Sequence, residues 1–129
     1  MSDMSKIMAA ASMGMNAQAS RLRVSTENIA NADTPGYRRK LVPFEQVMAD
    51  DGTRSVRAGR VFLDRSDLRT VHDPSHPLAG ADGTYQGSNV NMIVEIADAR
   101  EAQRSYEANM RMFDQARQMA DSLINLLRR

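Results

Sequence analysis

Apolar and small residues recur along the first thirty positions at alternating steps of four and three: Met4, Met8, Ala11, Met15, Gln18, Leu22, Ser25 and Ile29. That spacing keeps one stripe on one face of a helix and predicts a helix over about residues 4–31, with polar Gln18 and Ser25 interrupting the seam. The same signature returns at the other end of the chain with fewer interruptions. Ala99, Ala102, Tyr106, Asn109, Phe113, Ala116, Ala120, Leu123 and Leu127 step by three and four, and Met92 and Glu95 extend the row backwards. A second helix is predicted from a cap at Asn89 or Asn91 to near Arg128.

Between the helices the period changes. Asn31 is a candidate C-terminal cap in the left-handed conformation. Thr34-Pro35-Gly36-Tyr37 has the type II turn pattern, with proline at the second position and glycine at the third. "RKLVPF" and "RAGRVFLD" are strand-like, and "ADDGTR" between them suits a hairpin connection. "HDPSHPLAGADGTYQGSN" is dense in proline and glycine and predicts turns rather than regular structure. The organisation expected is an N-terminal helix and turn over 1–37, a β- and turn-rich segment over 38–88, and a C-terminal helix over 89–129 that forms one structural unit with 1–37. The fold class is mainly α: two long helices pairing as a coiled coil, with a small irregular β-rich middle.

Helix length sharpens this picture. At 1.5 Å per residue the helices would be about 42 and 55 Å long, against roughly 30 Å for a small globular domain. One helix pair leaves each member with an exposed flank, and Met110, Met119 and Ile124 lie off the main seam as a second apolar edge. The stripes serve either an intramolecular two-helix core or, in addition to it, packing against other chains. The small residues Ala99, Ala102, Ala116 and Ala120 would let neighbouring helices approach closely.

Composition narrows the chemistry. The 129 residues include ten methionines, no tryptophan and no cysteine, so disulfides and thiolate metal sites are excluded. Net charge is +1, too balanced to point to nucleic acid. Residues 38–69 are mildly basic, with eight Lys/Arg against five Asp/Glu, and suit a solvated or protein-facing surface. Arg38, Arg39 and Lys40 suit a charged strand edge or an ion-pair site between subunits. No apolar run reaches the roughly 18 residues that span a membrane, and "MSDMSKIMAAASMGM" lacks the pattern of a cleavable signal peptide. That leaves a cytoplasmic protein or one exported without cleavage.

Nothing in the sequence indicates catalysis. His72, Asp73 and His76 crowd into "HDPSHP", but Pro74 and Pro77 prevent helical presentation of the two imidazoles, and a structural turn is the expected role. Nucleotide-binding glycine motifs, a nucleophile elbow and a twelve-residue calcium loop are all missing. Catalytic, cofactor-binding and metal-ligating residues are therefore expected to be none.

The stretch "LRVSTENIANADTPGYRRK" resembles the N-terminal signature of the axial proteins of the bacterial flagellum, the rod, hook and hook-associated proteins. Its turn motif falls here on Asn28, Ile29, Ala30, Asn31, Ala32, Thr34, Pro35, Gly36 and Tyr37. "SNVNMIVEIADAREAQRSYEANMRMFDQARQMADSLINLL" is similar to the family's C-terminal helix, above all in "RSYEAN", Arg104 to Asn109. The chain's length fits a short rod subunit. The resemblance implies a structural subunit of the proximal rod of the flagellar basal body. The helices would assemble helically around the export channel, the β-rich middle would face outward, and the rod would carry torque from motor to hook.

Implied partners are further copies of the chain, rod subunits of the FlgB, FlgF and FlgG types, the rod-base adapter FliE and the flagellar type III export apparatus. The implied location is the rod crossing the periplasm, reached without signal-peptide cleavage. Residues expected on the assembly seam are Met8, Met15, Leu22, Ile29, Ala99, Ala102, Tyr106, Asn109, Phe113, Ala116, Ala120, Leu123 and Leu127. The alternatives are the sister rod protein FlgB, which shares the short "TPGYRRK", or a cytoplasmic helical adapter or secretion chaperone using the same stripes.

Overall fold

The computed structural model describes residues 2–128. Helix α1 spans Asp3–Ala30 and helix α2 spans Met92–Leu127. Ser2 caps α1 by accepting the Ser5 N–H at 3.2 Å, with Asp3 in the first turn where a carboxylate suits the helix dipole. Asn91 rather than Asn89 caps α2, accepting from Ile93 and Val94 at 3.1 and 3.4 Å. Asn31 follows α1 but is not left-handed, having φ −109°. Its side-chain amide donates to the Glu27 carbonyl at 2.9 Å, which satisfies an end carbonyl of the helix without a reversal of handedness. The reversal comes at Gly36, φ +75°, within a turn closed by Tyr37 N–H on the Thr34 carbonyl at 3.2 Å.

Six short strands lie between the helices, in three antiparallel pairs. A hairpin does turn at "ADDGTR", but it pairs β2 (Phe44–Met48) with β3 (Arg54–Ala58), residues lying mostly between the two strand-like patches. Outside it, β1 (Lys40–Leu41) pairs with β4 (Phe62–Leu63). The register leaves two residues on one strand, Val42 and Pro43, facing three on the other, Gly59 to Val61. Pro43 lacks an amide donor, so the ladder breaks here and Gly59 N–H donates to the Pro43 carbonyl at 2.7 Å. A third pair, β5 (Thr70–His72) with β6 (Thr84–Gln86), closes the base of the proline- and glycine-rich segment. The turn signals inside that segment are real, but they conceal a ladder whose three-residue strands are too short to show a period.

The helices run antiparallel: Arg21 reaches Asp98, and Gly14 lies against Asn109 further along α2. A β-carbon on Gly14 would stand 2.7 Å from Asn109 Oδ1, so glycine permits the approach there. The β2–β3 hairpin folds back onto another face of α1, where Ser55 donates to the Met13 sulfur at 3.1 Å and Lys6 lies 3.9 Å from Asp51.

Burial between the helices is carried by small side chains. Ala11, Ala17, Ala102 and Ala116 are buried, while Met8, Met15, Leu22, Ile29, Ala99, Asn109, Phe113 and Ala120 are half-buried. Three seam residues depart from a packed stripe: Tyr106 is 37% exposed, Leu123 54% and Leu127 86%. Geometry explains the last two. With 36 residues against 28, α2 is about 12 Å longer than α1, and its final turns run past the start of α1. The expected single second edge on α2 is also two edges, because Met110 and Met119 are nine residues apart, two and a half turns, and so lie on opposite flanks.

A candidate assembly site at the helix junction

The largest fully buried side chains are Glu95, Val90, Asn28 and Ser88. Three of these four are polar, and all four sit where α1 ends and α2 begins. An arrangement of that kind requires dedicated partners, since a buried polar group without them costs about 1–3 kcal/mol.

Asn28 faces inward from the last turn of α1. Its amide nitrogen donates to the Lys40 carbonyl and its Oδ1 accepts the Lys40 N–H, both at 2.9 Å. Oδ1 also accepts the Tyr37 hydroxyl at 2.8 Å. One side chain thereby matches both backbone groups of Lys40, as a neighbouring strand would, and fixes the Tyr37 ring. Burial, followed by the negative charge of Glu27, raises the Tyr37 pKa above its ordinary value and keeps the phenol protonated as a donor. The Lys40 ammonium pairs with Glu27, whose hydrogen bond raises the lysine pKa.

The chain leaving the turn is tied to the chain entering α2. Gly36 N–H donates to the carbonyls of Gln86 and Gly87 at 3.1 and 3.2 Å. Ser88 Oγ donates to the Ala32 carbonyl. Asn89, displaced from the capping role, accepts Arg39 N–H at 2.6 Å and donates to the carbonyls of Asp64 and Ser66 at 3.0 and 3.2 Å.

The three cations after the turn are engaged within the subunit. Arg38 donates to the Ser66 carbonyl at 2.9 Å. Arg39 places one guanidinium among three carboxylates: Glu95, Asp98 at 3.1 Å and Asp64 at 3.9 Å. Arg21 of α1 shares Asp98 at 3.5 Å. The carboxyl of Asp64 is held below its usual range, chiefly by hydrogen bonds from Ser66 and secondarily by the arginines.

The family turn residues thus divide by role. Asn28 and Tyr37 bond directly to each other, Asn31 closes the helix, Thr34 and Gly36 form the turn, and Pro35 is half-buried beside it. The Arg39 network was not identified from the sequence, although a carboxylate at position 95 on a stripe of small residues signals a buried cation partner. In "HDPSHP", His76 Nδ1 accepts the Leu78 N–H at 3.1 Å and its ring stacks on Tyr85 with centroids 4.0 Å apart, which is turn architecture. Among the described residues no group of three or more His, Asp or Glu is placed to hold a metal ion, and no helix is long and apolar enough to cross a membrane.

Comparison with known proteins gives these features a context. The model of the flagella basal body rod protein family matches residues 8–38, and that of the flagellar basal body rod FlgEFG protein C-terminal region matches residues 81–126. The flagellar basal-body rod protein FlgC of Agrobacterium fabrum is 41% identical over 92% of this chain and 91% of its own length. The chain belongs to the FlgC family of flagellar basal-body rod proteins. FlgC of Yersinia enterocolitica is 38% identical over 81% of this chain and 83% of its own, and FlgC of Borreliella burgdorferi is 31% identical over 91% and 93%. Membership makes this a structural rod protein and not an enzyme. The adapter or chaperone alternative is not favoured. The two matched stretches contain Asn28, Tyr37, Ser88, Asn89, Glu95 and Asp98, so most of the junction in this FlgC-family chain lies inside them.

Proposed function

We propose that this FlgC-family chain is a proximal-rod subunit whose α1 and α2 form an inner coiled-coil layer, packed in helical array around the export channel. Residues 1–37 and 89–129 make up that inner unit, and residues 38–88 form the outward-facing layer. Its neighbours are copies of itself, rod subunits of the FlgB, FlgF and FlgG types, and the rod-base adapter FliE. The chain reaches the periplasm through the flagellar type III export apparatus without losing a signal peptide, and as part of the rod it carries torque from motor to hook.

The observation that supports this reading most is the unpartnered apolar surface of α2. Met112 and Met119 are about half exposed on one flank and Tyr106 and Met110 over a third exposed on the other, while Leu123, Ile124, Leu126 and Leu127 are exposed beyond the N-terminal start of α1. A helix apolar on both flanks gains most of its stability by packing against further helices. Contacts between unlike flanks of successive copies extend into filaments when they do not close into rings. The seam residues from Met8 to Leu127 act in this reading both within the pair and between subunits.

The test is purification of basal bodies from cells carrying an epitope-tagged chain, with mass spectrometry and image reconstruction. The expected result is an uncleaved chain in the rod, with α1 and α2 lining the channel. Recovery of the chain only in the soluble fraction would reject the assignment.

A further inference from the structure

The seam between α1 and α2 has a property that an antiparallel pair must overcome. Beyond Glu95 its buried members on α2 are alanines, Ala102 and Ala116, fourteen residues apart with half-buried Asn109 midway between them. Small side chains at heptad-related positions make similar contacts after a slip of one heptad, a displacement of about 10 Å. Register is therefore held by contacts other than these alanines, among them Asn109 over Gly14 and the bonds that tie Gly36, Ala32 and Arg39 to residues 86–89.

The ion network does not repeat in this way. Arg39 contacts Glu95 and Asp98, which lie one helical turn apart on α2, and Arg21 of α1 binds the same Asp98. A one-heptad slip would bring Ala102 to the place of Glu95 and leave Arg39 facing an alanine instead of its carboxylate. The network is also poorly suited to adding stability. The Glu95 side chain is 1% exposed and its second oxygen, Oε2, has no hydrogen-bond partner among the described residues. A buried pair of this kind is commonly matched in stability by apolar side chains of similar volume, whereas its geometry excludes competing arrangements.

We propose that Arg39, with Glu95, Asp98 and Arg21, selects the register of α1 against α2 and, through Asp64, the orientation of the outer segment on the helix pair. The claim concerns the chain itself; only its consequence for the rod rests on the function proposed above, and a failed register test would leave that function standing.

The chain has no cysteine, so paired spin labels can be placed cleanly. One pair, at the exposed positions Thr26→Cys and Glu101→Cys, reports α1 against α2. A second, at the exposed positions Arg60→Cys and Glu101→Cys, reports the outer segment against α2. Distances are measured by pulsed electron resonance on the full-length chain, diluted with unlabelled chain of the same sequence. The concentration is one at which helix content by circular dichroism has stopped rising.

In the parent the first pair gives one narrow peak. In Arg39→Met/Glu95→Leu the melting temperature is expected to stay equal or rise. The first pair then splits or broadens into populations separated by about 10 Å, the heptad displacement. A single unchanged peak overturns the proposal, and so does loss of helix content, since the network would then maintain the fold rather than choose its register. Arg39→Lys keeps the charge but cannot fork between two carboxylates. The second pair is expected to broaden at least twofold in this variant while helix content is kept, and an unchanged second pair also overturns the proposal.

Discussion

Replacing Asn28 by alanine tests whether the junction, rather than the seam, is the most tightly specified part of the subunit. Asn28 is 1% exposed and makes three hydrogen bonds, two to the Lys40 backbone and one from the Tyr37 hydroxyl. Truncation leaves three groups without partners. Each would cost about 1–3 kcal/mol if fully buried, but Lys40 and Tyr37 are only half-buried and water can reach part of each. The low end of the range applies, giving a total of about 3 kcal/mol. Tyr37→Phe removes one of the three bonds and leaves both Lys40 contacts in place, so it should cost about 1 kcal/mol. Because both variants delete the same Tyr37–Asn28 bond, the double variant should fall short of additivity by about 1 kcal/mol.

The assay is urea unfolding followed by circular dichroism, at one fixed protein concentration because association shifts apparent stability. Asn28→Asp adds a control: the carboxylate keeps both acceptor roles but sets an anionic oxygen against the Lys40 carbonyl, and should fall between the other two. An Asn28→Ala chain within about 0.5 kcal/mol of the parent, the range of ordinary surface changes, would refute the reasoning. So would a Tyr37→Phe cost exceeding that of Asn28→Ala.

Two substitutions on α2 should separate folding from assembly. Ala116 is 3% exposed against α1, so Ala116→Glu should disrupt the helix pair and lower helix content. Leu123 is 54% exposed beyond α1, so Leu123→Asp should leave circular dichroism unchanged and abolish swimming in a complementation assay; normal motility would discount the overhang as an assembly surface. The pH dependence has two limbs. The raised Tyr37 pKa contributes stability that is fully present below about pH 10 and is lost as pH rises through the folded value, so Tyr37→Phe should flatten the alkaline limb of a melting-temperature profile. The lowered Asp64 pKa contributes stability present above about pH 4 and lost as pH falls through the folded value, so Asp64→Asn should flatten the acid limb.

The helices and their pairing were legible because heptad spacing, Asn91 and the turn residues act locally. The hairpin connection was legible for the same reason, through its Asp-Gly turn, but the two strand-like patches hold the β1–β4 pair and meet the hairpin strands only at their edges. The parts that escaped depend on partners distant in the chain. Pairing of Thr70–His72 with Thr84–Gln86 leaves no local period. The conformation of Asn31 depended on its side chain bonding back to Glu27, an outcome equally compatible with its identity as a cap. Arg39 reads from the sequence as a charged strand edge or an ion-pair site between subunits because its three carboxylates come from positions 64, 95 and 98. Leu123 and Leu127 fitted the seam by spacing, and only the unequal helix lengths remove them from it.

The stapling of Gly36 to Gln86 and Gly87, with Ser88 on Ala32 and Asn89 on Arg39, has a mechanical consequence. The segment between the helices departs from the helix pair and returns to it through one pinned neck. A force on that segment arrives at the ends of both helices together, so it displaces the pair as one body instead of peeling one helix from the other turn by turn. Peeling breaks contacts in series, one turn at a time, so a neck that binds the two helix ends to each other removes the loading mode in which a helix pair yields most easily.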